Sequence, residues 1–231
     1  EEMLQEYGCR EIVVIQPTAR SKQKTDRRDA GELSHLLWVH RQEFLEGKHP
    51  LGVRRIQPPS VQEADDRQLT VLRARLTRQR TAVLNGIHKI LRKHNLEQSQ
   101  PTKEFQTKKV RAWLAKLELP VLDRFELDLL LPHWELLDEQ LAEVEVKIAQ
   151  RAAADAQVQL LESVPGLGHY GALAISSRIG NVERFKQADS LANYFGLTPG
   201  CNNSGEKTQR LGAITKRGSK IVRYLLNQAV I

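Results

Sequence analysis

Between residues 127 and 148 the apolar side chains return every seven positions. Leu127, Trp134, Leu141 and Ile148 share one phase, and Leu130, Leu137 and Val144 share the neighbouring one. A sustained seven-residue repeat holds its apolar residues on one stripe of a helix and demands a partner along its length, as in a coiled coil. An earlier run carries the same period. Leu69, Leu76, Val83 and Ile90 recur every seven residues, with Leu72 and Ile87 beside them, and this predicts a long helix from about Val61 to Asn95. Charge separates the two runs. Between Arg67 and Lys93 lie eight Lys or Arg and no acid, whereas Glu118 to Glu145 holds nine acids against one base, Arg124. The helices are therefore expected either to pair as an antiparallel hairpin or each to pair across a dimer. Proline has no N–H and crowds the preceding turn, so Pro132 predicts a helix that starts or kinks there.

The flanking segments read differently. Residues 2–8 look like the end of a helix stopped by Gly8. The run Ile12 to Ile15 is continuously apolar and β-branched, closed by Pro17, and reads as a buried strand of a sheet covered on both faces. One strand forms no sheet alone, and no second strand as clear follows, so sequence missing from the chain is the favoured account. A basic loop with Arg20, Lys22 and Lys24 leads to Thr25-Asp26-Arg27-Arg28-Asp29-Ala30 and a helix carrying Leu33, Leu36, Leu37 and Val39. Gly47, Pro50, Gly52, Pro58 and Pro59 make residues 47–60 a linker or irregular loop. From about 157 onward short helices are punctuated by glycine and proline. The fold class expected is mainly α: a partial α/β N-terminal remnant over 1–58, a helical coiled-coil middle over 59–152, and an all-helical C-terminal domain over 153–231.

The chain has 231 residues, of which 40% are hydrophobic, enough for a packed core. Its net charge of +7 makes nucleic acid the first candidate partner, with an ordinary basic protein as the plain alternative. Cys9 and Cys201 stand far apart without metal-ligand spacing, which fits a reducing cytoplasm. No apolar stretch reaches the ~18 residues of a membrane span, and no signal peptide is visible. The chain begins Glu-Glu-Met, so its first residue need not be the natural start.

Three constellations could carry chemistry. Asp26 and Asp29, three residues apart at a helix start, project from one face. Two close carboxylates repel unless a cation lies between them, and Mg²⁺ accepts one or two carboxylates together with phosphate oxygens. The plain alternative is that Thr25 or Asp26 caps the helix and Asp29 favours its first turn. The second is Val164-Pro165-Gly166-Leu167-Gly168, which resembles a helix-hairpin-helix turn. There glycines let backbone approach a phosphate and the following helix N-terminus offers N–H groups; a simple αα turn is the alternative. The third surrounds Asn203-Ser204-Gly205, with Lys207, Arg210, Lys216 and Arg217 nearby. From Gly205 to Ile231 six bases face one acid, Glu206. Such cations can stabilise charge during phosphoryl transfer, so Ser204 is a candidate nucleophile toward a DNA phosphate. The alternative is a serine that caps a turn.

Taken in order, Lys24-Thr25-Asp26-Arg27-Arg28-Asp29-Ala30, the Pro-Gly-Leu-Gly turn, Phe185-Lys186, Leu191-Ala192, Phe195-Gly196-Leu197-Thr198-Pro199, Ser204-Gly205 and Thr215-Lys216-Arg217-Gly218 resemble one family. It is the DEDD transposases of bacterial insertion sequences, in the one-ten and eleven-eleven group. The resemblance runs from about residue 10 to 231. It implies a RuvC-like, ribonuclease-H-type N-terminal domain in which four acids bind divalent metal, with Asp26 and Asp29 matching the last two. It implies a C-terminal serine, matched by Ser204, that attacks DNA and forms a phosphoserine link. The first Asp and the Glu find no match here, and the last helix stops at Ile231, so the chain is expected to be truncated at both ends. The implied partners are DNA, meaning insertion-sequence ends and target, a non-coding guide RNA, and further copies of the chain as a dimer or tetramer. The place is the bacterial cytoplasm, at the nucleoid. Lys207, Arg210, Lys216 and Arg217 are expected to hold phosphate, Pro165, Gly166 and Gly168 to grip the DNA backbone, and Arg73 and Arg80 to line a nucleic-acid face. Two other readings stay open: a non-catalytic DNA- or RNA-binding module, and a RuvC-type metal-dependent junction nuclease.

Overall fold

The computed structural model describes residues 6–7, 12–15, 25–48, 50, 53, 56–201 and 211–230. They fall into two compact units, Glu1–Pro59 and Ser60–Ile231, each described by itself. Among the described residues no helix is long and apolar enough to cross a membrane.

In the first unit α1 spans Asp26–Val39 and α2 spans Arg41–Leu45. Thr25 is the N-cap of α1: its backbone is extended and its hydroxyl accepts from the Arg28 N–H at 3.4 Å. No residue of α1 is buried. The strand expected at Ile12 to Ile15 does not form as a buried ladder. Val14 is 38% exposed, and its carbonyl accepts one bond, from the Ile56 N–H at 2.8 Å. Among the described residues the run joins no sheet ladder, and Ile15 makes only an isolated bridge.

The second unit is built on two long helices, α3 (Val61–Lys93) and α5 (Val121–Ala153), with the short α4 (Lys108–Ala115) between them. Ser60 and Glu63 close the start of α3 with a reciprocal capping box. The pair is antiparallel, as its ion pairs show: Asp66 meets Arg151, Arg73 meets Glu145, Arg80 meets Asp138 and Lys93 meets Asp123. Of the two arrangements open from sequence, the intramolecular hairpin is the one present. Leu76, Val83 and Ile90 of α3 are buried against Leu127, Trp134, Leu141 and Ile148 of α5. Helix α5 begins at Val121, well before Pro132, and runs through it. Proline removes one helical hydrogen bond, and Leu127 and Trp134, fully buried on either side, hold the helix across that gap.

Next come α6 (Ala156–Glu162), α7 (His169–Ile179) and α8 (Ala188–Tyr194). Helix α7 lies against α3, α5 and α6, and nearly all of it is buried. Arg67 on α3 donates to the Ser177 carbonyl at 2.6 Å. Arg178 reaches Thr70 at 3.2 Å, and burial together with the neighbouring Arg67 charge lowers its pKa. A second small core joins Leu167, Ile175, Ile179, Phe195 and Val222, the last on α9 (Lys220–Ala229).

The C-terminal part is not all helical. Strands β1 (Pro199–Cys201) and β2 (Leu211–Ile214) pair antiparallel, Pro199 opposite Ile214 and Cys201 opposite Leu211. Proline and two glycines, Gly200 and Gly212, disfavour helix here, while the pairing satisfies backbone that would otherwise be orphaned.

Candidate functional site

Asp26 and Asp29 both lie in the first turn of α1, with Asp26 exposed and Asp29 half-buried. Because Thr25 supplies the cap, neither carboxylate is needed for it. Magnesium takes one or two carboxylates and completes its shell with water and phosphate oxygens. Two acidic side chains in one exposed turn match that donor set in part. Among the described residues no group of three or more His, Cys, Asp or Glu gathers to hold a metal.

Ser204, Lys207 and Arg210 lie outside the described residues. The frame on either side of them is described. The β1–β2 pairing brings the chain before residue 202 beside the chain after residue 210. The ribbon continues into two interlocked turns, where Thr215 N–H donates to the Thr198 carbonyl at 3.0 Å and Lys216 N–H to that of Gly196 at 3.1 Å. Gly196 has φ +68°, and a side chain there would overlap the backbone of Arg217. Gly218 closes onto the Tyr194 carbonyl in the same way. Lys216 adopts φ +54°, a left-handed conformation rare for a residue with a side chain, and such outliers persist only where surroundings enforce them. The result is that Lys216 and Arg217 are presented, exposed, at the base of the ribbon.

Sequence reasoning missed the residue that braces this frame. Arg223 on α9 donates to the Phe195 carbonyl at 3.0 Å and the Arg217 carbonyl at 2.8 Å, tying both turns to one helix. Its only sequence signal was a cation, one of two with Lys220, in a ten-residue amphipathic segment. Arg184 adds a second brace, with its guanidinium 4.6 Å from the ring centroids of both Phe185 and Tyr194.

The Pro165–Gly168 segment links α6 to α7. Gly168 is the N-cap of α7 without a side-chain cap bond, and Pro165, Gly166 and Gly168 are exposed. Gly166 also has a packing role: a Cβ there would sit 2.6 Å from the Ala229 carbonyl oxygen. Leu167 alone turns inward, into the second core.

Arg73 and Arg80 are committed to the hairpin. Arg73 pairs with Glu145 at 2.9 Å and stacks 4.3 Å over the Tyr170 ring. Arg80 pairs with Asp138, which Arg111 also contacts, and bonds Gln106 at 2.8 Å. Lys93 and His94 both bond Asp123, and these bonds hold its carboxyl below the usual carboxylate range. The cations left for a partner lie on the outer face of α3. Arg75, Arg78, Lys89 and Arg92 are exposed at helical spacing, with Asn85 among them. Of these Arg92 pairs with Glu97 at 2.8 Å.

Residues 158–231 match the family described as Transposase IS116/IS110/IS902 family. Along most of its length the chain is similar to the transposase for insertion sequence element IS1111A of Coxiella burnetii, at 29% identity over 92% of the chain and 55% of that protein. It is similar to a probable family 20 transposase of Pseudomonas aeruginosa, at 29% identity over 76% of the chain and 52% of the relative. It also resembles the transposase for insertion sequence element IS1328 of Yersinia enterocolitica, at 29% identity over 68% of the chain and 46% of the relative. These matches and the ordered motifs make the chain similar to insertion-sequence transposases. The family match is confined to residues 158–231, and the chain spans about half the length of these curated relatives.

Proposed function

We propose that this chain takes part in DNA strand cleavage and exchange during transposition, with Ser204 as nucleophile. The observation that supports the reading is the braced ribbon, whose two strands flank the segment that holds Ser204 and at whose base Lys216 and Arg217 are exposed. In the proposed step the Ser204 Oγ attacks phosphorus and loses its proton. The P–O bond to the deoxyribose breaks, and the leaving oxygen takes up a proton. The phosphoserine ester keeps the bond energy, and attack by a hydroxyl of another strand reverses the step and joins the strands. Cations around the phosphate stabilise the charge that develops. Residues 1–58 are read as part of a RuvC-like domain, and α3 and α5 as a coiled coil. Asp26 and Asp29 would hold Mg²⁺, which when bound polarises phosphate oxygens. More than one copy acts, as a dimer or tetramer, on insertion-sequence ends and target in the bacterial cytoplasm, at the nucleoid.

The test is a covalent adduct. With Mg²⁺ and DNA carrying the insertion-sequence ends, a protein–DNA link is expected. Ser204→Ala should abolish it and leave DNA binding intact. An adduct that survives Ser204→Ala sinks the proposal, and cleavage that depends on Asp26 but not on Ser204 would favour the junction-nuclease reading.

The nucleic-acid track, for DNA or a guide RNA, is assigned to Arg75, Arg78 and Lys89. Each phosphate contact contributes about 0.7–0.9 to the slope of log affinity against log salt. Reversing all three to glutamate should lower that slope by about 2–3. An unchanged slope would show that the outer face of α3 meets no phosphate.

A further inference from the structure

Two arginines at the contact between α3 and α7 stand together without an acid. Arg67 on α3 and Arg178 on α7 are both half-buried. Burial, and after it the charge of Arg67, lowers the pKa of Arg178. The carboxylates that could answer the pair are engaged elsewhere. Glu63, one turn before Arg67, accepts from the Ser60 N–H at 2.9 Å. Asp66 is held by Arg151 at 2.8 Å, and Glu145 by Arg73 at 2.9 Å. An arginine does not relieve burial by giving up its proton. Two such charges side by side, partly withdrawn from water, therefore cost stability unless an anion joins them.

Their donors are only partly used. Arg67 gives its Nε–H to the Ser177 carbonyl at 2.6 Å. Arg178 uses Nη1, toward the Ala174 carbonyl at 2.8 Å, the Thr70 hydroxyl at 3.2 Å and the Ser177 hydroxyl at 3.4 Å. Among the described residues the Nη1 and Nη2 of Arg67 and the Nε and Nη2 of Arg178 meet no acceptor, and none of them is sealed from solvent. Tyr170 shares the face of α7 that carries Ala174 and Arg178, at steps of four residues. Burial pushes its phenol up, against the pull of Arg73 and Arg178, so the hydroxyl keeps its proton and can donate. The Arg73 guanidinium, 4.3 Å from the ring centroid, holds that ring in place. A carboxylate brings two oxygens, whereas a phosphate brings at least three and receives both forks and the phenol together. The net charge of +7 favours an anionic ligand of this kind.

We propose that Arg67, Arg178 and the Tyr170 hydroxyl form a binding site for one phosphate group between α3 and α7. The group comes either from free phosphate or from one unit of a nucleic-acid strand, and the chemistry of recognition is the same. The site shares no residue with the Ser204 segment or with Arg75, Arg78 and Lys89.

Thermal unfolding in phosphate against chloride, at equal ionic strength, tests it. Inorganic phosphate at about ten times its dissociation constant should raise the melting midpoint of the unaltered chain by about 3–6 °C. Arg67→Gln and Arg178→Gln should each lose most of that rise, and Tyr170→Phe part of it. Each variant is compared with itself in chloride, so a lower starting stability does not alter the reading. Arg67→Gln gives up a single bond to backbone and carries the test if Arg178→Gln does not fold. An equal rise in the unaltered chain and the variants is the general effect of an excluded salt, and would overturn the site. A short single-stranded oligonucleotide is the second arm. A rise there that the same variants lose, with none from inorganic phosphate, assigns the site to a nucleic-acid phosphate. If neither probe gives a rise that the variants lose, the proposal falls. None of these results bears on the Ser204 adduct, so the two ideas fail separately.

Discussion

Replacing Trp134 by alanine is expected to cost about 3–5 kcal/mol of stability, the range for emptying a large aromatic site in a packed core. That is a large part of the ~5–15 kcal/mol that holds a typical domain together. The side chain is fully buried midway along the α3–α5 hairpin. Its ring stacks on Phe105 with centroids 5.8 Å apart and planes 13° from parallel. The Arg111 guanidinium lies 4.3 Å from its centroid on the way to Asp138. Truncation therefore removes the floor of an aromatic stack and one face of a cation–π contact as well as the packing itself. Trp134→Phe should cost much less. The indole N–H is buried without an acceptor among the described residues, and removing an unsatisfied donor recovers part of the volume lost. Urea unfolding followed by far-ultraviolet circular dichroism reads both variants. A loss below about 1 kcal/mol for alanine would show that the hairpin does not depend on this side chain.

The second large effect is local. Gly196→Ala places a Cβ on the Arg217 backbone at a residue held at φ +68°. The left-handed conformation alone costs an alanine about 1–2 kcal/mol, and the overlap with unyielding backbone adds to it. A loss of about 2–4 kcal/mol for the turn is expected, equivalent to roughly 30- to 700-fold faster opening. Hydrogen exchange at Thr215 and Lys216, whose amides bond across to Thr198 and Gly196, is the direct measurement. The amides of α3 and α5 should stay protected. Unchanged exchange at Thr215 and Lys216 would show that the two turns are not locked together.

These two positions also mark what the sequence could disclose. The heptads of 69–90 and 127–148 foretold two long helices, with the hairpin as one of two open pairings, because each long helix repeats one physical demand many times. The opposite charges of the two runs were equally plain, and the structure spends them on each other. What periodicity did not resolve was which cations turn inward. Arg73 and Arg80 stand seven apart, in step with Leu76 and Val83, and that shared period placed them beside the seam; their count alone had pointed to a nucleic-acid face. The strand at Ile12–Ile15 was read from β-branched composition, which carries no information about whether neighbours exist to pair with it. The β1–β2 ribbon escaped notice because its strands are very short and hold glycine and proline. Only the ordered motifs led to the resemblance to transposases, which added a matching serine to the reading of Ser204 already suggested by the cations around it.

The Gly166–Ala229 contact gives α9 a role as a spacer. The helix starts just after Lys216, Arg217 and Gly218, and its last residue rests on the turn before α7. Its ten residues measure about 15 Å at 1.5 Å per residue. The two segments proposed to meet DNA thus stand at opposite ends of one rod, whose length equals about four base-pair steps of duplex at 3.4 Å each. On the proposed reading, adding or deleting a turn of that rod would change which phosphates both ends reach together.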